Sequence, residues 1–299
     1  MITRAVILLL ATLAACAPRE QARASVRNVT DLTGRVVAVP QDPRRVLSLC
    51  SSATDTVLRL GAGARLAGID EFSRIVPGTA AIAVLGKGSA LSREQVLARN
   101  IDLAFVWWYQ EDAATLLESL GVPVVKIRCQ RAAEIPATVR FVGQCLDLAD
   151  PAAALAAGVE KDLALLANAP RPNPPAIYLE LYSPFKTGGG ESYVNDLIEL
   201  AGGRNIAATA TGSVLLSAEQ LFAANPERVI LLEGAATAGS FASRGGFDSL
   251  SAVHNHRVHI LDRYAMVAGA GFPEGVARLK SLLANPPVNP AASNQPNNH

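Results

Sequence analysis

The chain has 299 residues, half of them hydrophobic, which is enough apolar material for the cores of two ordinary domains. Its 27 Lys and Arg balance 26 Asp and Glu, so the formal net charge is +1 at pH 7. Because no basic face accompanies this balance, the composition excludes the electrostatic footprint of a nucleic-acid-binding protein. The sequence predicts a globular protein.

The first sixteen residues have the pattern of an export signal. Arg4 precedes an apolar run over residues 5–15, about half the roughly 20 residues that span a bilayer, so a signal peptide is favoured over a transmembrane helix. The letters LAAC, ending at Cys16, resemble the bacterial lipobox, in which the cysteine carries lipid and begins the mature chain. The alternative is a plain signal peptide that contains a cysteine. We expect an exported protein held at a membrane by its lipid alone.

Three cysteines remain in the mature chain, Cys50, Cys129 and Cys145, and they permit at most one internal disulfide. Cys50 and Cys129 end apolar, strand-like runs, which favours buried free thiols over a bridge. The spacing does not indicate which two would pair.

Short apolar runs alternate with helical patterns in two separate parts of the chain, which predicts two lobes built from βα units around parallel sheets. The strands are continuous apolar runs, as is typical of sheets covered by helices on both faces. The predicted fold is therefore α/β, with two Rossmann-like lobes. The predicted segments are a signal peptide (1–15), an anchored linker with a first strand (16–34), a first lobe (35–149), a connecting helix (150–169), a second lobe (174–285) and a disordered tail (286–299).

An internal repeat supports two lobes of similar build. LSREQVLARNIDLAFV, at residues 91–106, recurs as LSAEQLFAANPERVIL at residues 216–231. In the same order, DTVLRLGAGARLA at residues 55–67 matches NDLIELAGGRNIA at residues 195–207. Both copies of the first stretch place Gln three residues after Ser, the pattern of a capping box at a helix start. Two matches in one order indicate an architectural repeat.

The connecting segment is predicted to form one rigid helix between the lobes. Asp150 suits the N-cap and Pro151 the first helical position. The predicted helix covers residues 151–168 and spans about 27 Å, the width of a small lobe. An apolar stripe at helical spacing is formed by Leu155, Val159, Leu163 and Leu166.

Open parallel sheets bind ligands beyond the carboxyl ends of their strands, so the residues that follow the strands form the candidate site. Aromatic walls with a few polar groups suit a bulky, partly apolar ligand. Core packing is the alternative for residues 107–109, but the run continues into polar Gln110 and Glu111, which favours exposure. The predicted ligand-binding residues are Ser51, Ser52, Lys87, Trp107, Trp108, Tyr109, Tyr182, Phe185, Lys186, Arg244 and Met266.

Motifs for catalysis, phosphate and metal are weak or absent. TGGGES and GKGS lack the spacing GxxxxGK(S/T), and no GxSxG motif occurs. His254, His256 and His259 suggest a metal site, but alternation along RVHIL points His259 outward, so a surface turn is favoured. We therefore predict no catalytic residue, no resident metal, no cofactor and no enzyme activity.

Taken together, these segments resemble the substrate-binding proteins of ABC importers for iron chelates, haem and vitamin B12. The likeness runs from about residue 29 to residue 285. It is carried by DLTGRVVAVPQDPRRVLSLCSSATDTVLRLGAGARLAGIDEFS, LESLGVPVV, TGGGESYVNDLIELAGGRNIA, LSAEQLFAANPERVIL and SAVHNHRVHIL. The resemblance implies a monomer whose two lobes, joined by one rigid helix, capture a metal chelate and deliver it to a membrane permease with its ATPase.

The resemblance leaves several ligands open. A corrinoid such as vitamin B12 or a ferric siderophore is the first expectation, and a smaller oxyanion or haem is the alternative. Residues 86–90 contain no Tyr or His, where some haem-binding members place an iron ligand, which disfavours haem.

In this family a glutamate on each lobe meets arginines of the permease. Glu191 matches the position on the second lobe, whereas the position on the first lobe aligns with Ala83 and Glu71 is a nearby substitute. The resemblance thus implies docking through Glu71 and Glu191 by a periplasmic, membrane-anchored lipoprotein. An exported enzyme on the same scaffold, and a sensor or structural lipoprotein with an empty cleft, are the rival hypotheses.

Overall fold

The computed structural model describes residues 25–87, 90–168 and 173–284. The signal peptide, Cys16, the start of the linker and the tail at residues 286–299 lie outside the described residues. The described residues form an α/β protein with parallel sheets and covering helices, so the predicted fold class is confirmed. None of its helices is both long enough and apolar enough to span a membrane.

The first lobe contains an antiparallel hairpin followed by a six-stranded sheet. The hairpin strands are β1 (Val26–Thr30) and β2 (Val36–Pro40). The sheet has the order β6-β5-β4-β3-β7-β8, and only the β5–β6 pair is antiparallel among its described strands. Its strands are β3 (Val46–Ser48), β4 (Leu66–Asp70), β5 (Val84–Lys87), β6 (Ala90–Leu91), β7 (Leu103–Trp107) and β8 (Val124–Ile127). The helices of this half are α1 (Ser51–Arg59), α2 (Arg93–Ala98), α3 (Glu111–Ser119), α4 (Ile135–Cys145) and α5 (Ala149–Ala167).

The second lobe has a smaller sheet in the same arrangement. Its four strands are all parallel in the order β11-β9-β13-β14, and a separate antiparallel pair joins β10 to β12. The strands are β9 (Ala176–Glu180), β10 (Lys186–Gly188), β11 (Arg204–Asn205), β12 (Ser213–Leu215), β13 (Arg228–Leu232) and β14 (Val258–Leu261). The helices are α6 (Tyr193–Leu200), α7 (Ala218–Ala224), α8 (Ala238–Ala242), α9 (Ser251–His254) and α10 (Phe272–Ala284).

The sequence repeat is also a repeat of structure. The strand order β4-β3-β7-β8 in the first lobe corresponds to β11-β9-β13-β14 in the second. Ser92 and Ser217 cap α2 and α7 by accepting a hydrogen bond from the backbone N–H three residues later, at 3.3 and 3.2 Å. Asn100 and Asn225, which follow these helices, both adopt left-handed backbone with φ of 49° and 36°, a conformation that Asn tolerates better than most residues. The repeated letters therefore encode the same serine cap and the same turn into a strand, while the Gln side chain completes the predicted capping box at Ser217 but not at Ser92.

Helix α4 is shared by the cores of both lobes. Ile135 and Val139 belong to the core of the second lobe, whereas Phe141, Val142 and Cys145 belong to the core of the first. Burying both faces of one helix removes apolar surface that either lobe alone would leave exposed. The lobes are therefore joined by a helix whose removal from either core would expose apolar side chains.

Helix α5 packs beside α4 and completes the joint. It begins at Ala149 with Leu148 at the N-cap, so Asp150 lies inside the first turn and the prediction that it caps the helix is wrong. The reason is that only three residues, 146–148, separate α4 from α5, and the main chain itself makes the turn there, with the Leu148 N–H donating to the Gly143 carbonyl at 2.8 Å. The predicted apolar stripe is confirmed, because all four of its residues pack against the core of the second lobe: Leu155, Val159, Leu163 and Leu166.

Direct contacts also fix the lobes next to the cleft. The buried carboxylate of Asp55 in α1 accepts hydrogen bonds from the Tyr264 hydroxyl at 2.6 Å and the Gly271 backbone N–H at 2.8 Å, both in the second lobe. Arg59 donates to Asp55 at 3.1 Å, to the Tyr264 hydroxyl at 2.9 Å and to Glu274 at 2.8 Å. A buried carboxylate that receives several donors is satisfied only while those donors stay in place. The contact therefore holds the lobes at one separation.

The three cysteines are free and buried, which confirms the preference for unpaired thiols. Burial raises the pKa of Cys129 and of Cys145 to about 12 and raises the pKa of Cys50 well above its ordinary value. Thiols held neutral in this way are poor nucleophiles and pack as small apolar side chains.

The predicted orientation of His259 is wrong. His259 is 5% exposed, while Ile260 is 43% exposed. The run Val-His-Ile-Leu offers an apolar residue in either phase of the strand, and the structure buries the phase that contains Leu261. Burial, followed by the charges of Arg228 and Arg257, lowers the pKa of His259. His254 and His256 are exposed, and no group of three His, Cys, Asp or Glu in the described chain is placed to hold a metal ion.

A pair of glycine substitutions tests the joint between the lobes. A Cβ at Gly143 in α4 would lie 2.0 Å from the Ala152 Cβ in α5, whereas a Cβ at Gly158 would meet nothing within 4 Å. We expect Gly143→Ala to lower the free energy of unfolding by about 1–3 kcal/mol, because the packed helices must separate. Gly158→Ala is the matched control and should raise it by about 0.5–1 kcal/mol through helix propensity. Equal effects in urea unfolding would contradict the close α4–α5 contact.

Candidate ligand-binding site

The carboxyl ends of strands from both sheets border one cavity of about 330 Å³. This position follows from topology, because parallel strands in each lobe direct all their carboxyl ends to one edge and the two edges face each other. The first lobe lines the cavity with Ser51, Asp70, Phe72, Ile75, Trp107, Tyr109 and Gln110. The second lobe lines it with Tyr182, Tyr193, Arg263, Met266, Val267 and Ala268.

Five of the thirteen residues that line the cavity are aromatic, and they come from both lobes. The rings of Trp107 and Tyr109 are nearly parallel, 7° apart in plane, with their centroids separated by 6.3 Å. Trp108 stands edge-on to Tyr109 at 4.9 Å and supports it from outside the cavity. Tyr109 is 62% exposed, and Tyr182 on the opposite lobe is 59% exposed. Large aromatic surfaces left open on facing walls are typical of a ligand-binding cleft.

Two polar side chains of the first lobe are buried in the cavity wall. Asp70 ends β4 and is 1% exposed, and its Oδ1 accepts a hydrogen bond from the Ser73 backbone N–H at 2.9 Å. Burial raises the pKa of Asp70 to about 6. Gln110 accepts a hydrogen bond from the Trp107 backbone N–H at 2.9 Å, which closes the turn after β7 and presents Tyr109 to the cavity.

Arg263 provides a positive charge from the second lobe. Its guanidinium carbon lies 5.8 Å from the centroid of the Tyr182 ring, a cation–π arrangement. Its Nε is buried and has no hydrogen-bond partner in the described part of the chain. No carboxylate within the described ranges lies within 4.0 Å of Arg263 to form an ion pair. The cavity therefore contains an acid on one lobe and a cation on the other.

The structure brings five of the predicted ligand-binding residues to the cavity and places the other six elsewhere. The five are Ser51, Trp107, Tyr109, Tyr182 and Met266. The six that do not line it are Ser52, Lys87, Trp108, Phe185, Lys186 and Arg244. Contact between the first group and a ligand stays a prediction.

Ser52, Lys87 and Lys186 lie away from the cavity because of their positions on the helix and strands that carry them. Ser52 follows Ser51 by one residue on α1, so its side chain turns inward, where its hydroxyl donates to the Ala268 carbonyl at 2.6 Å and links the lobes. Lys87 is exposed at the end of β5, which lies next to the edge strand β6 and away from the central strands of the sheet. Lys186 is half-buried in the separate β10–β12 pair.

Arg244 is part of the interior of the second lobe. Glu180 is fully buried at the end of β9 and receives two hydrogen bonds from Arg244, at 2.6 and 2.7 Å. The guanidinium also lies over the rings of Phe241, Phe185 and Phe247. A buried carboxylate requires such a partner, so Arg244 stabilises the buried Glu180, and neither Arg244 nor Phe185 lines the cavity.

Several cavity residues were absent from the sequence prediction. Asp70 ends β4, Phe72 follows it and Arg263 follows β14, so all three obey the rule that selected the aromatic run at the end of β7. Residue type alone does not identify them as site residues, since a single Asp, Phe or Arg near the end of a strand is common. Gln110 was noted only as the polar end of that run, and Tyr193 is the first residue of α6.

The two acids predicted to meet a permease lie on the rim of the cleft. Glu71 is exposed next to Asp70, and Glu191 is exposed two residues before Tyr193. Each lobe therefore presents one glutamate beside a cavity-lining residue.

Comparison with known proteins gives consistent results. A family model described as "Periplasmic binding protein" matches residues 46–265. An uncharacterized ABC transporter substrate-binding lipoprotein of Bacillus subtilis, YvrC, is 23% identical over 271 residues, covering 85% of this chain and 84% of that protein. A cobalamin-binding protein of Halobacterium salinarum is 28% identical over 214 residues, 67% of this chain and 57% of its own length.

Among solved structures, the periplasmic heme-binding protein RhuT from Roseiflexus in its apo form has a TM-score of 0.73 at 24% identity. The match covers 80% of this chain and 97% of that structure, and at this identity it supports the fold alone. The family model spans both lobes and the joint between them. The chain therefore belongs to the periplasmic binding protein family.

Proposed function

We propose that the protein captures a bulky metal chelate, a corrinoid or a ferric siderophore, between its lobes and delivers it to the permease of an ABC importer. The observation that carries the proposal is a cavity between the lobes with an exposed aromatic side chain on each wall, Tyr109 on one side and Tyr182 on the other. The cobalamin-binding relative supports this ligand class. The metal arrives within the ligand, so the protein itself needs no resident cofactor.

The size of the cavity indicates how a large chelate would be held. Ligand pockets range from about 300 to 1,000 Å³, and this one, at about 330 Å³, is at the small end. A chelate larger than this volume would place one edge between the aromatic walls and leave the rest at the mouth of the cleft. This position keeps the ligand available to a permease that docks on the rim.

The lining of the cavity favours binding over covalent catalysis. Ser51 is the serine that lines the cavity. Among the described residues, no His lines the cavity to act as a base for the Ser51 hydroxyl. We therefore favour transport over the rival of an exported enzyme.

The partners follow from the rim and from the predicted anchor. Glu71 and Glu191 would dock on arginines of the permease, whose ATPase then drives uptake. Lipid on Cys16 would hold the exported, monomeric protein on the outer side of the membrane that contains this permease.

Ligand binding can be tested by thermal unfolding with cobalamin and with a ferric siderophore. A ligand at 100 times its Kd stabilises the native state by about 2.7 kcal/mol, and this should appear as a higher midpoint. Tyr182→Ala should weaken binding about tenfold with little change in the unliganded midpoint, since the ring is already exposed. Leu215→Ala, an exposed apolar truncation outside the cavity, is the matched control and should leave the affinity unchanged. Equal losses of affinity would contradict the placement of the site.

Lobe movement can be followed by small-angle X-ray scattering with and without ligand. Because α4 is buried in both cores and Asp55 is bonded across the cleft, we expect only a small change in the radius of gyration on binding. A large compaction would show that the joint behaves as a hinge.

Docking can be separated from binding by substituting the rim acids. The double variant Glu71→Gln with Glu191→Gln should bind ligand as tightly as the natural protein but fail to support uptake by the reconstituted transporter. Glu219→Gln, at an exposed position in α7, is the control and should transport normally. Unimpaired uptake by the double variant would remove these two residues from the docking surface.

A further inference from the structure

Two charged groups of the cavity have unused hydrogen-bonding capacity. Ser73 donates to Asp70 in the described chain, and its backbone N–H reaches one carboxylate oxygen, Oδ1, at 2.9 Å. Arg263 has a buried Nε without a partner among the same residues. Both line the cavity, one from each lobe.

Asp70 differs from other buried acids in the molecule, because it has no arginine partner among the described residues. Asp55, Asp196 and Glu180 each form an ion pair with an arginine. Leaving a buried carboxylate without a cation costs stability, and proteins accept that cost mainly where a ligand completes the site. Asp70 therefore has the environment of a ligand acceptor, in addition to its role in capping the turn after β4.

We infer that the ligand presents a hydrogen-bond donor to Asp70 and an acceptor to Arg263, so that the cleft selects a chelate bearing primary carboxamides over one bearing carboxylates. This inference rests on the proposed function and narrows it. A carboxamide carries an N–H donor and a carbonyl acceptor in one group, and a chelate with several along its edge meets both demands. A carboxylate satisfies Arg263 but offers no donor to Asp70 and is repelled by its charge.

The charge on Asp70 is set by few neighbours. Three titratable groups lie near Asp70: Glu71 on the same turn, whose charge raises the pKa of Asp70, the Cys50 thiol after β3 and the Tyr109 hydroxyl after β7. The thiol and the hydroxyl are both neutral near pH 6, since the pKa of Cys50 is raised well above its ordinary value and that of Tyr109 is raised to about 12. Because burial raises the pKa of Asp70 to about 6, its acceptor charge is present above that pH and is lost as the pH falls through it.

The test compares two forms of one ligand: a corrinoid with its side-chain amides intact, and the same corrinoid with those amides hydrolysed to carboxylates. Affinities are measured by titration calorimetry at pH 7.5 and pH 5 for the natural protein, Asp70→Asn and Arg263→Gln. Asp248→Asn, an exposed acid outside the cavity, is the matched control. Asn retains an oxygen that can cap the turn, and the pH series on the natural protein gives the same information if a variant does not fold.

At pH 7.5 the amide form should bind the natural protein at least about tenfold more tightly than the carboxylate form. Asp70→Asn should weaken the amide form by about threefold to tenfold and strengthen the carboxylate form, a change of opposite sign, and lowering the pH to 5 should act in the same directions. Arg263→Gln should weaken both forms, and the carboxylate form more. Equal or tighter binding of the carboxylate form, or same-sign effects of Asp70→Asn, would overturn the inference and leave chelate capture standing. Binding of neither form nor of a ferric siderophore would overturn the proposed function and the inference with it.

Discussion

The cleft depends on the buried carboxylate of Asp55. It lies in α1 of the first lobe and accepts hydrogen bonds from Tyr264 and Gly271 of the second, with Arg59 completing the set. Without these donors a carboxylate could not remain buried at this position. The bonds therefore set the distance between two sheet edges whose strands point toward each other. The width of the cavity, and the separation of Tyr109 from Tyr182, follow from that distance.

The joint behind the cleft makes the same separation hard to change. Helix α4 contributes one face to each core, and α5 packs on it where Gly143 allows close approach. Opening the lobes would expose apolar surface on α4, and closing them would compress the Asp55 contact. A binding protein built in this way has a cavity whose walls are already formed before the ligand binds. Most of the interaction free energy is then available for affinity, because few side chains or loops must become ordered on binding. The permease would then meet a surface of nearly constant shape, with Glu71 and Glu191 at a set spacing.

Much of the fold could be predicted because local signals agreed with the global arrangement. The apolar runs became buried strands, and the repeated Ser and Asn residues marked the same helix start and turn in both lobes. The role of α4 was not predictable, since its apolar residues form one broad buried face and the sequence does not indicate that two cores divide it. The phase of His259 was ambiguous for a related reason, because both faces of its strand carry apolar residues.

The site was predictable where residue types were unusual and unpredictable where pairing decides the role. The tryptophans and tyrosine after β7 stand out by rarity, and two of the three line the cavity. Arg244 and Arg263 look alike in the sequence, yet Glu180 holds one in the core and the other faces the cleft. The most direct measurement is a crystal structure of the protein with a bound corrinoid. The account predicts ligand density between Tyr109 and Tyr182 in contact with both lobes; density on one lobe alone, or outside this cavity, would contradict it.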